Sequence, residues 1–338
     1  MFGKKDIGID LGTATILVYV SGKGVMIREP SVLAVDKNTD EIKFGREAYG
    51  MIGRTPSHIQ IIRPLKGGVV NEYDPTSRMI KHYLKNACGG LVMSPRVMIC
   101  TPSSTLDVEQ KAVRDAALQA GAKEIYLIEE PLAAAFGAGI AIDDHSGHLI
   151  VDIGGGTTDI AVIVNGNVVV SDSIRIAGDK FNEDIALYVR HKYNLLIGEK
   201  TAEQLKFNIG WVYAHKHPSE AVAKGRCLNT GLPRAVKVNS FEMLQALSPS
   251  LGYIIGKISD VLVRTPPEIV PEIFRNGIIL TGGGSMLHGL PDLIRRMTGI
   301  NTFLAKNPLD CVAIGTGIAL DNLKHFKDQI SDSRNSLR

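Results

Sequence analysis

Two short segments of this sequence combine a carboxylate with glycines and hydroxyl side chains at the end of an apolar run. Asp10 is followed by Gly12 and Thr13, and Asp152 is followed by three glycines and two threonines (154–158). Glycines let backbone N–H groups approach a ligand closely, and consecutive N–H groups form a concave site for anionic oxygens. A carboxylate beside such a loop can hold a hydrated divalent cation. These residue types indicate phosphate binding, although a glycine run after a strand is also compatible with a plain turn.

The two segments repeat each other. Aligning Asp10 with Asp152 also aligns Gly12 with Gly154, and an apolar strand returns after the loop in each copy. Two unrelated turns would have no reason to share a carboxylate at the strand end. The duplication therefore predicts two similar α/β lobes, each offering one loop to a ligand held between them.

Alternating helices and strands are predicted around these loops. Apolar periodicity predicts a helix at 105–120, opened by a Ser/Thr cap and with Asp107 and Glu109 in its first turn. The other predicted helices are 73–88, 132–139, 180–193, 201–209, 241–264, 290–297 and 311–323, and the main single strands are 31–35, 96–100, 125–128 and 276–281, with a hairpin turning at 229–233.

These elements divide the chain into two units and a tail. We expect lobe I at 1–141, with a small insertion at about 32–66, and lobe II at 142–323, with an insertion at about 179–238. The charged C-terminal tail, 324–338, is poor in large apolar residues, so we expect it to fray. A chain of 338 residues is long enough for two such units, since a domain holds roughly 100–200 residues.

Composition excludes several classes of protein. The net charge of +3 is too small to predict a nucleic-acid partner, and the four cysteines are far apart, as expected for reduced thiols. Asp6 and Asp10 interrupt any apolar signal segment after Lys4 and Lys5. No uncharged run reaches the roughly 20 residues that a spanning helix needs, so we expect a cytoplasmic protein.

A third glycine loop, at 282–284, also follows an apolar strand, while neither a P-loop nor a G-x-G-x-x-G dinucleotide motif is present. This combination resembles the actin/Hsp70/sugar-kinase superfamily, and within it the bacterial actins of the MreB/Mbl type. The resemblance covers nearly the whole chain. It rests on IGIDLGTA (7–14), EPSV (29–32), MIGRTP (51–56), IEEPLAAAFG (128–137), VDIGGGTTDIAV (151–162), RIAGD (175–179), GEKTAEQLK (198–206), TGLPR (230–234) and LTGGGSML (280–287).

The resemblance implies an actin-like ATPase fold around a central nucleotide cleft, with ATP and Mg²⁺ as ligands. It implies that Asp10 and Asp152 hold magnesium through water, and that Glu130 orients the attacking water with Thr157 as its partner. The residues that it places against the phosphates are Gly12, Thr13, Ala14, Gly154, Gly155, Gly156, Thr157 and Thr158, and those against the ribose and adenine are Gly178, Glu203, Lys206, Gly282, Gly283, Gly284 and Ser285.

Some of these assignments have simpler alternatives. Glu130 precedes Pro131, so it is also suited to be a carboxylate at a helix N-terminus. Glu203 and Lys206 are spaced as an ordinary i, i+3 surface pair. The sequence also departs from the family pattern, with Thr15 and Ile16 where an asparagine is usual, and Asn182 where an acidic residue is common. Both departures are expected to modulate nucleotide affinity or turnover.

Two apolar segments lie next to basic residues and predict membrane contact. Leu91, Val92 and Met93 stand between glycines and Ser94, close in sequence to Lys81, Lys85 and Arg96, and Met1 and Phe2 precede Lys4 and Lys5. Apolar tips with basic surroundings suit shallow insertion into an anionic bilayer surface. The alternative is that residues 91–93 form a short buried turn.

The function implied by the resemblance is an ATP-dependent filament protein. Its subunits would stack head to tail in paired antiparallel protofilaments on the inner face of the cell membrane. There they would organise cell-wall synthesis and rod shape with transmembrane and wall-building partners. A small-molecule, sugar-type kinase on the same fold is the main alternative, although no extra segment for a sugar site is evident. A chaperone is a weaker one, because it needs a peptide-binding domain after the ATPase.

Overall fold

Two β-sheets, one in each half of the chain, carry the two carboxylate–glycine loops. The computed structural model describes residues 6–89, 95–213, 216–325 and 331–332. The strands are β1 (Asp6–Leu11), β2 (Thr15–Val20), β3 (Gly24–Pro30), β4 (Leu33–Asp36), β5 (Ile42–Phe44), β6 (Ile59–Ile62), β7 (Leu65–Lys66), β8 (Val69–Val70), β9 (Arg96–Thr101), β10 (Glu124–Glu129), β11 (His148–Ile153), β12 (Thr158–Val164), β13 (Asn167–Ile174), β14 (Leu195–Leu196), β15 (Glu220–Cys227), β16 (Pro233–Asn239), β17 (Ile278–Thr281), β18 (Thr302–Leu304) and β19 (Ser331–Asp332). The helices are α1 (Gly45–Met51), α2 (Tyr73–Ala87), α3 (Asp107–Gln119), α4 (Glu130–Gly137), α5 (Gly178–Tyr193), α6 (Glu199–Ile209), α7 (Ser240–Arg264), α8 (Val270–Asn276), α9 (Leu290–Thr298) and α10 (Cys311–Asp321), with 3₁₀ turns at Gly283–Met286 and Leu323–His325.

The two sheets have the same arrangement around their loops. The first sheet has the order β19-β10-β9-β1-β2-β3, and the second has the order β13-β12-β11-β17-β18. In each, a hairpin strand (β1 or β11) pairs antiparallel with the next strand and parallel with a later one. Most residues of β1 and β11 are buried, as expected for strands covered on both faces. The predicted two-lobed α/β fold is confirmed, and we call the lobe around the first sheet lobe I and the other lobe II.

Each lobe also carries a smaller sheet. The order β5-β4-β6, with α1 packed against it, belongs to lobe I. The order β14-β15-β16, in contact with α5 and α6, belongs to lobe II. These small sheets lie in the segments where insertions are expected.

Most predicted elements are confirmed, and the differences have local causes. The predicted Ser/Thr cap at 105 is wrong. Helix α3 begins at Asp107, and the hydroxyl of Thr105 donates to the carbonyl oxygen of Pro102 (2.7 Å). The carboxylate of Glu109 instead accepts from the backbone N–H of Leu106 (2.9 Å). Helices α1 and α8 were not predicted, because each is only seven residues long and too short to show periodicity.

A pair of helices, α4 and α10, joins the two lobes. Helix α10 packs on β1, β2 and β9 of lobe I, whereas α4 packs on β11 and β12 of lobe II as well as on β9 and β10. The two helices approach until their backbones touch. A Cβ atom added at Gly137 would overlap the carbonyl oxygen of Cys311, and one added at Gly315 would overlap that of Ala133. The glycines therefore permit this close crossing, which we call the interlobe helix pair.

Helix α7 is the one helix of the described ranges that is long and apolar enough to cross a membrane by length and composition. One face of it, including Met243, Leu251 and Ile258, is buried in the main hydrophobic cluster of lobe II. Near its C-terminal end, Lys257 and Arg264 form ion pairs with Asp172 of β13. These contacts identify α7 as a core helix of lobe II.

Candidate functional site

The two loops face each other across a cleft of about 470 Å³ between the lobes. That volume lies within the range of about 300–1,000 Å³ that is usual for ligand pockets. The predicted residues that line it are Asp10, Gly12, Thr13, Ala14, Glu130, Asp152, Gly154, Gly155, Gly156, Thr157, Gly178, Glu203, Lys206, Gly282, Gly283 and Gly284. Residues from three glycine loops, far apart in sequence, thus meet in one place.

Two predicted residues do not line the cleft. The hydroxyl of Thr158 donates to the carbonyl oxygen of Ile176 (2.6 Å), and that of Ser285 donates to the carbonyl oxygen of Gly282 (2.6 Å). Both side chains are fully buried. Their hydroxyl groups are therefore used to hold the loops rather than to contact a ligand directly.

The loops are packed tightly against each other, which explains their glycines. A Cβ atom at Gly155 would overlap Ala14, and one at Gly156 would overlap the hydroxyl of Thr13. That hydroxyl accepts from the backbone N–H of Gly68 (2.8 Å), which anchors the first loop to the segment after β7. Any larger residue at either glycine would push the two lobes apart.

The second loop is also held by the N-terminus of α5. The backbone N–H groups of Gly178 and Asp179 donate to the carbonyl oxygens of Gly154 (3.1 Å) and Gly155 (2.8 Å). The loop closes on itself through the N–H of Gly154 and the carbonyl oxygen of Thr157 (2.9 Å). These bonds use backbone carbonyls, so the loop's remaining N–H groups are the donors that an anion would meet.

Asp10 and Asp152 stand at the ends of β1 and β11, at the floor of the cleft. Burial raises the pKa of each carboxyl to about 7. The hydroxyl of Thr281 donates to Asp152 (2.6 Å), and the thiol of Cys100 lies 3.5 Å from an oxygen of Asp10. Within the described ranges, no cluster of three or more His, Cys, Asp or Glu side chains forms a complete metal cage. One buried and one partly buried carboxylate, Asp152 and Asp10, fit a cation that keeps waters and takes further ligands from phosphate.

Glu130 is the first residue of α4 and is buried beside these carboxylates. Burial raises its pKa well above the ordinary value, and the neighbouring charge with the largest further effect is Asp159. Asp159 is fully buried on β12, where burial raises its pKa to about 6, and it accepts from the backbone N–H of Ser103 (3.0 Å).

The sequence analysis missed Asp159, although a signal was present. It is opposite Asp152 in the register of the β11–β12 hairpin. Residues that face each other in an antiparallel pair point to the same side of the sheet. Counting across the predicted hairpin would therefore have placed a third carboxylate next to the first two.

Lys206 is not part of an exposed i, i+3 pair, because its side chain is buried and donates to the carbonyl oxygen of Gly178 (3.0 Å). Glu203 instead accepts a hydrogen bond from Tyr49 of lobe I. Both line the cleft, together with three apolar residues that the sequence analysis missed. Phe207, Met286 and Leu309 are 63%, 48% and 50% exposed there. Exposed apolar side chains in a cleft suit a flat organic ring.

The remaining predicted residues lie elsewhere. Asn182 is buried on α5 and does not line the cleft, and its side-chain oxygen is among the buried atoms without a hydrogen-bond partner. The predicted membrane residues Leu91, Val92 and Met93, and Met1 and Phe2, lie outside the described residues.

The chain matches known proteins over almost its full length. Residues 4–328 match the family model for MreB/Mbl protein. The cell shape-determining protein Mbl of Bacillus subtilis is 48% identical over 321 residues, covering 94% of this chain and 96% of Mbl. The cell shape-determining protein MreB of Escherichia coli is 44% identical over 335 residues, covering 97% and 96%.

Solved structures agree with this assignment. The crystal structure of MreB5 of Spiroplasma citri bound to ADP superposes with a TM-score of 0.91 at 36% identity, covering 96% of this chain and 99% of MreB5. A MamK double helical filament has a TM-score of 0.81 at 22% identity and covers 94% and 99%, which is a likeness of fold. On the sequence identities and the matched family model, this chain belongs to the MreB/Mbl family of actin-like, cell shape-determining bacterial proteins.

Proposed function

We propose that this protein binds Mg²⁺–ATP between its lobes and hydrolyses it. The observation that carries the proposal is the meeting of two glycine loops, two strand-end carboxylates and Glu130 in a single cleft. Among solved relatives, MreB5 of Spiroplasma citri is bound to ADP in one crystal structure and to AMPPNP in another. Those ligands support a nucleotide site of the same kind here.

Different groups of residues bind the phosphates, the magnesium ion and the adenine. Backbone N–H groups of the loops around Gly12 and Gly155 bind the phosphates from both lobes. Asp10 and Asp152 hold the magnesium ion through water, and its charge offsets the negative charge of the phosphates. Phe207, Met286 and Leu309 contact the adenine.

Glu130 is the group that we assign to the attacking water. It accepts a hydrogen bond from that water and orients it, with the hydroxyl of Thr157 as its partner. Burial raises its pKa above the ordinary value, which makes its carboxylate a stronger base than that of an exposed glutamate. Asp159 lies next to Glu130 and fixes its carboxyl, so we assign it a positioning role.

We also propose that ATP binding favours assembly. The protein would form head-to-tail filaments, paired as protofilaments, on the inner face of the cytoplasmic membrane. Membership of a family of cell shape-determining proteins supports this, and a heterologous contact between identical subunits propagates rather than closes. Cell-wall synthesis enzymes and transmembrane shape proteins are the partners expected there, and nucleic acid is not.

Glu130→Ala tests the catalytic assignment. We expect the wild type and the variant both to sediment as polymers with Mg²⁺–ATP, because Glu130 does not hold the nucleotide. Phosphate release should fall by at least about tenfold, since positioned acid–base groups typically contribute about 10²–10⁴-fold. The measurement is phosphate release alongside pelleting at equal protein concentration.

Glu129→Ala is the matched control, because Glu129 is the neighbouring carboxylate at the end of β10 but does not line the cleft. It should release phosphate at the wild-type rate. Equal rates for Glu130→Ala and the wild type would remove Glu130 from its role. Absence of polymers in all nucleotide conditions, together with phosphoryl transfer to a sugar, would favour a kinase instead.

A further inference from the structure

Helix α6 has contacts on two sides. Toward the cleft it presents Glu203 and Lys206. Toward lobe I it meets the small insertion formed by α1 and the sheet β5-β4-β6, across the opening between the lobes. A residue of α6 is therefore able to contact both a ligand in the cleft and the opposite lobe.

Three side chains of α6, those of Glu199, Lys200 and Glu203, contact lobe I. The hydroxyl of Tyr49 donates to the carboxylate of Glu203, and the guanidinium of Arg63 donates to the carboxylate of Glu199. The ammonium of Lys200 donates to the carbonyl oxygen of Gly50 (3.3 Å) and lies 4.7 Å above the ring of Tyr49. We call this set of contacts the α6 bridge.

Tyr49 is suited to be a permanent hydrogen-bond donor. Its pKa is raised by burial first and then by the adjacent carboxylate of Glu203. The phenol therefore stays neutral and keeps its proton at any physiological pH. A carboxylate has two oxygens, so Glu203 can accept from Tyr49 with one and from a ligand hydroxyl with the other.

We propose that Tyr49 is a positioning residue for the nucleotide, which acts by holding Glu203 against the ribose hydroxyls. The proposal rests on the proposed ATP site, and it adds a lobe I residue to the recognition of the sugar. The ribose hydroxyls donate to Glu203 only when its carboxylate is fixed, and the residue that fixes it lies on the other lobe. Ribose recognition is thereby coupled to closure of the cleft.

Tyr49→Phe is the direct test, because it removes the hydroxyl and keeps the ring under Lys200. The affinities for ATP and for 2′,3′-dideoxy-ATP are measured by calorimetry on the full chain, at concentrations below assembly. The wild type should prefer ATP by about tenfold, the size expected for a hydrogen bond to a charged group. In Tyr49→Phe this preference should shrink to about twofold, through weaker binding of ATP alone. Phosphate release at saturating ATP should be unchanged, since the substitution leaves Glu130 and Thr157, the groups assigned to the attacking water, in place.

Two further variants separate positioning from simple closure of the lobes. Arg63→Met breaks the neighbouring ion pair of the α6 bridge, so it should weaken both nucleotides equally and leave their ratio as in the wild type. Glu203→Gln should lose the preference for ATP as Tyr49→Phe does. Because it changes the other partner of the same contact, it keeps the test valid if Tyr49→Phe fails to fold. Tyr253→Phe, at a 54% exposed position of α7, is the neutral control.

The outcomes are distinguishable. A wild-type preference for ATP that persists in Tyr49→Phe would overturn the positioning role, as would equal weakening of both nucleotides in that variant. A wild type that binds neither nucleotide would instead overturn the proposed function itself.

Discussion

Three carboxyl groups line the cleft, those of Asp10, Asp152 and Glu130, and the fully buried carboxyl of Asp159 interacts with Glu130. Burial raises the pKa of each of the four. Burying several carboxyls in one place is unfavourable unless they are protonated or meet a cation. The cluster therefore lowers the stability of the ligand-free protein near neutral pH. The same unfavourable charge would favour a ligand that brings a divalent ion, as in the proposed Mg²⁺–ATP complex.

This arrangement predicts how stability depends on pH in the absence of nucleotide. The pKa of Asp152 is 3.8 ordinarily and about 7 in the folded protein. Between these values the folded state holds a proton that the unfolded chain has released, so raising the pH favours unfolding. In this pH window one such proton makes the free energy of unfolding fall by about 1.4 kcal/mol per pH unit. The isosteric variant Asp152→Asn removes this contribution. Denaturant unfolding of both proteins at several pH values in this window measures the difference.

Magnesium and ATP provide the control for that experiment. If the cation offsets the negative charge of Asp152, the free energies of unfolding of the two proteins should depend on pH more similarly with Mg²⁺–ATP than with ATP and a chelator. Parallel stability curves for wild type and Asp152→Asn without nucleotide would contradict the raised pKa.

The sequence predicted the residues that line the cleft well where they belong to local motifs, and poorly where their position depends on distant contacts. Asp10 and Asp152 could be predicted because the duplication marks them within short motifs. Tyr49 could not, since its role arises from an approach between α1 and α6, which are about 150 residues apart. Phe207 and Leu309 likewise lie outside the motifs, and Met286 lies within LTGGGSML but has no polar group that would mark it as a ligand contact. Only the fold brings these three residues to one cleft.

Among the elements, the long helices were predictable and their partners were not. Apolar periodicity placed α2, α5, α7 and α10 to within a few residues. No local pattern indicated that α10, at the end of lobe II in sequence, packs on the first sheet. The pairing with α4 depends on Gly137 and Gly315, and an isolated glycine in a helical pattern does not reveal what approaches it.

Alanine substitutions test the interlobe helix pair. Gly137→Ala and Gly315→Ala each place a methyl group against a backbone carbonyl of the other helix, and overpacking of this kind typically costs about 1–3 kcal/mol. We expect each variant to lower the thermal midpoint by several degrees, as followed by circular dichroism. Gly252→Ala, on the exposed face of α7, has nothing within 4 Å of the added methyl group. It should be neutral or stabilising by about 0.5–1 kcal/mol, because alanine favours the helix. A midpoint for Gly137→Ala as high as that of Gly252→Ala would show that the helices can separate at no cost.

The whole molecule is two lobes whose contacts include the interlobe helix pair, the facing glycine loops and the α6 bridge. A ligand between the loops contacts both lobes, so its binding energy is available to fix their relative orientation. A filament contact that spans both lobes would favour one such orientation. This is the physical basis on which nucleotide state and assembly would be coupled.

The proposed membrane attachment would also be a property of the whole assembly, because many weak anchors on one filament would add up. We predict that the full chain co-sediments with anionic liposomes, and that Leu91→Ser with Met93→Ser and removal of Met1 and Phe2 reduces the bound fraction several-fold. Apolar contact and basic charge both contribute to binding of this type. Leu232→Ser, at a 65% exposed hairpin residue of lobe II, is the matched loss of surface apolarity. Binding that is unchanged in the first variant would exclude these segments as the anchor.

The crossing of α4 and α10 has a mechanical consequence. Most packed helices interlock through side-chain ridges, and one helix moves past the other only in steps from groove to groove. Where Gly137 meets Cys311 and Gly315 meets Ala133, bare backbones are in contact and offer no ridges of their own. At these two points a small rotation of one helix against the other would not require interlocked side chains to separate. Any rotation of the lobes about this junction would also change the separation of Tyr49 and Glu203, which hydrogen-bond from opposite lobes.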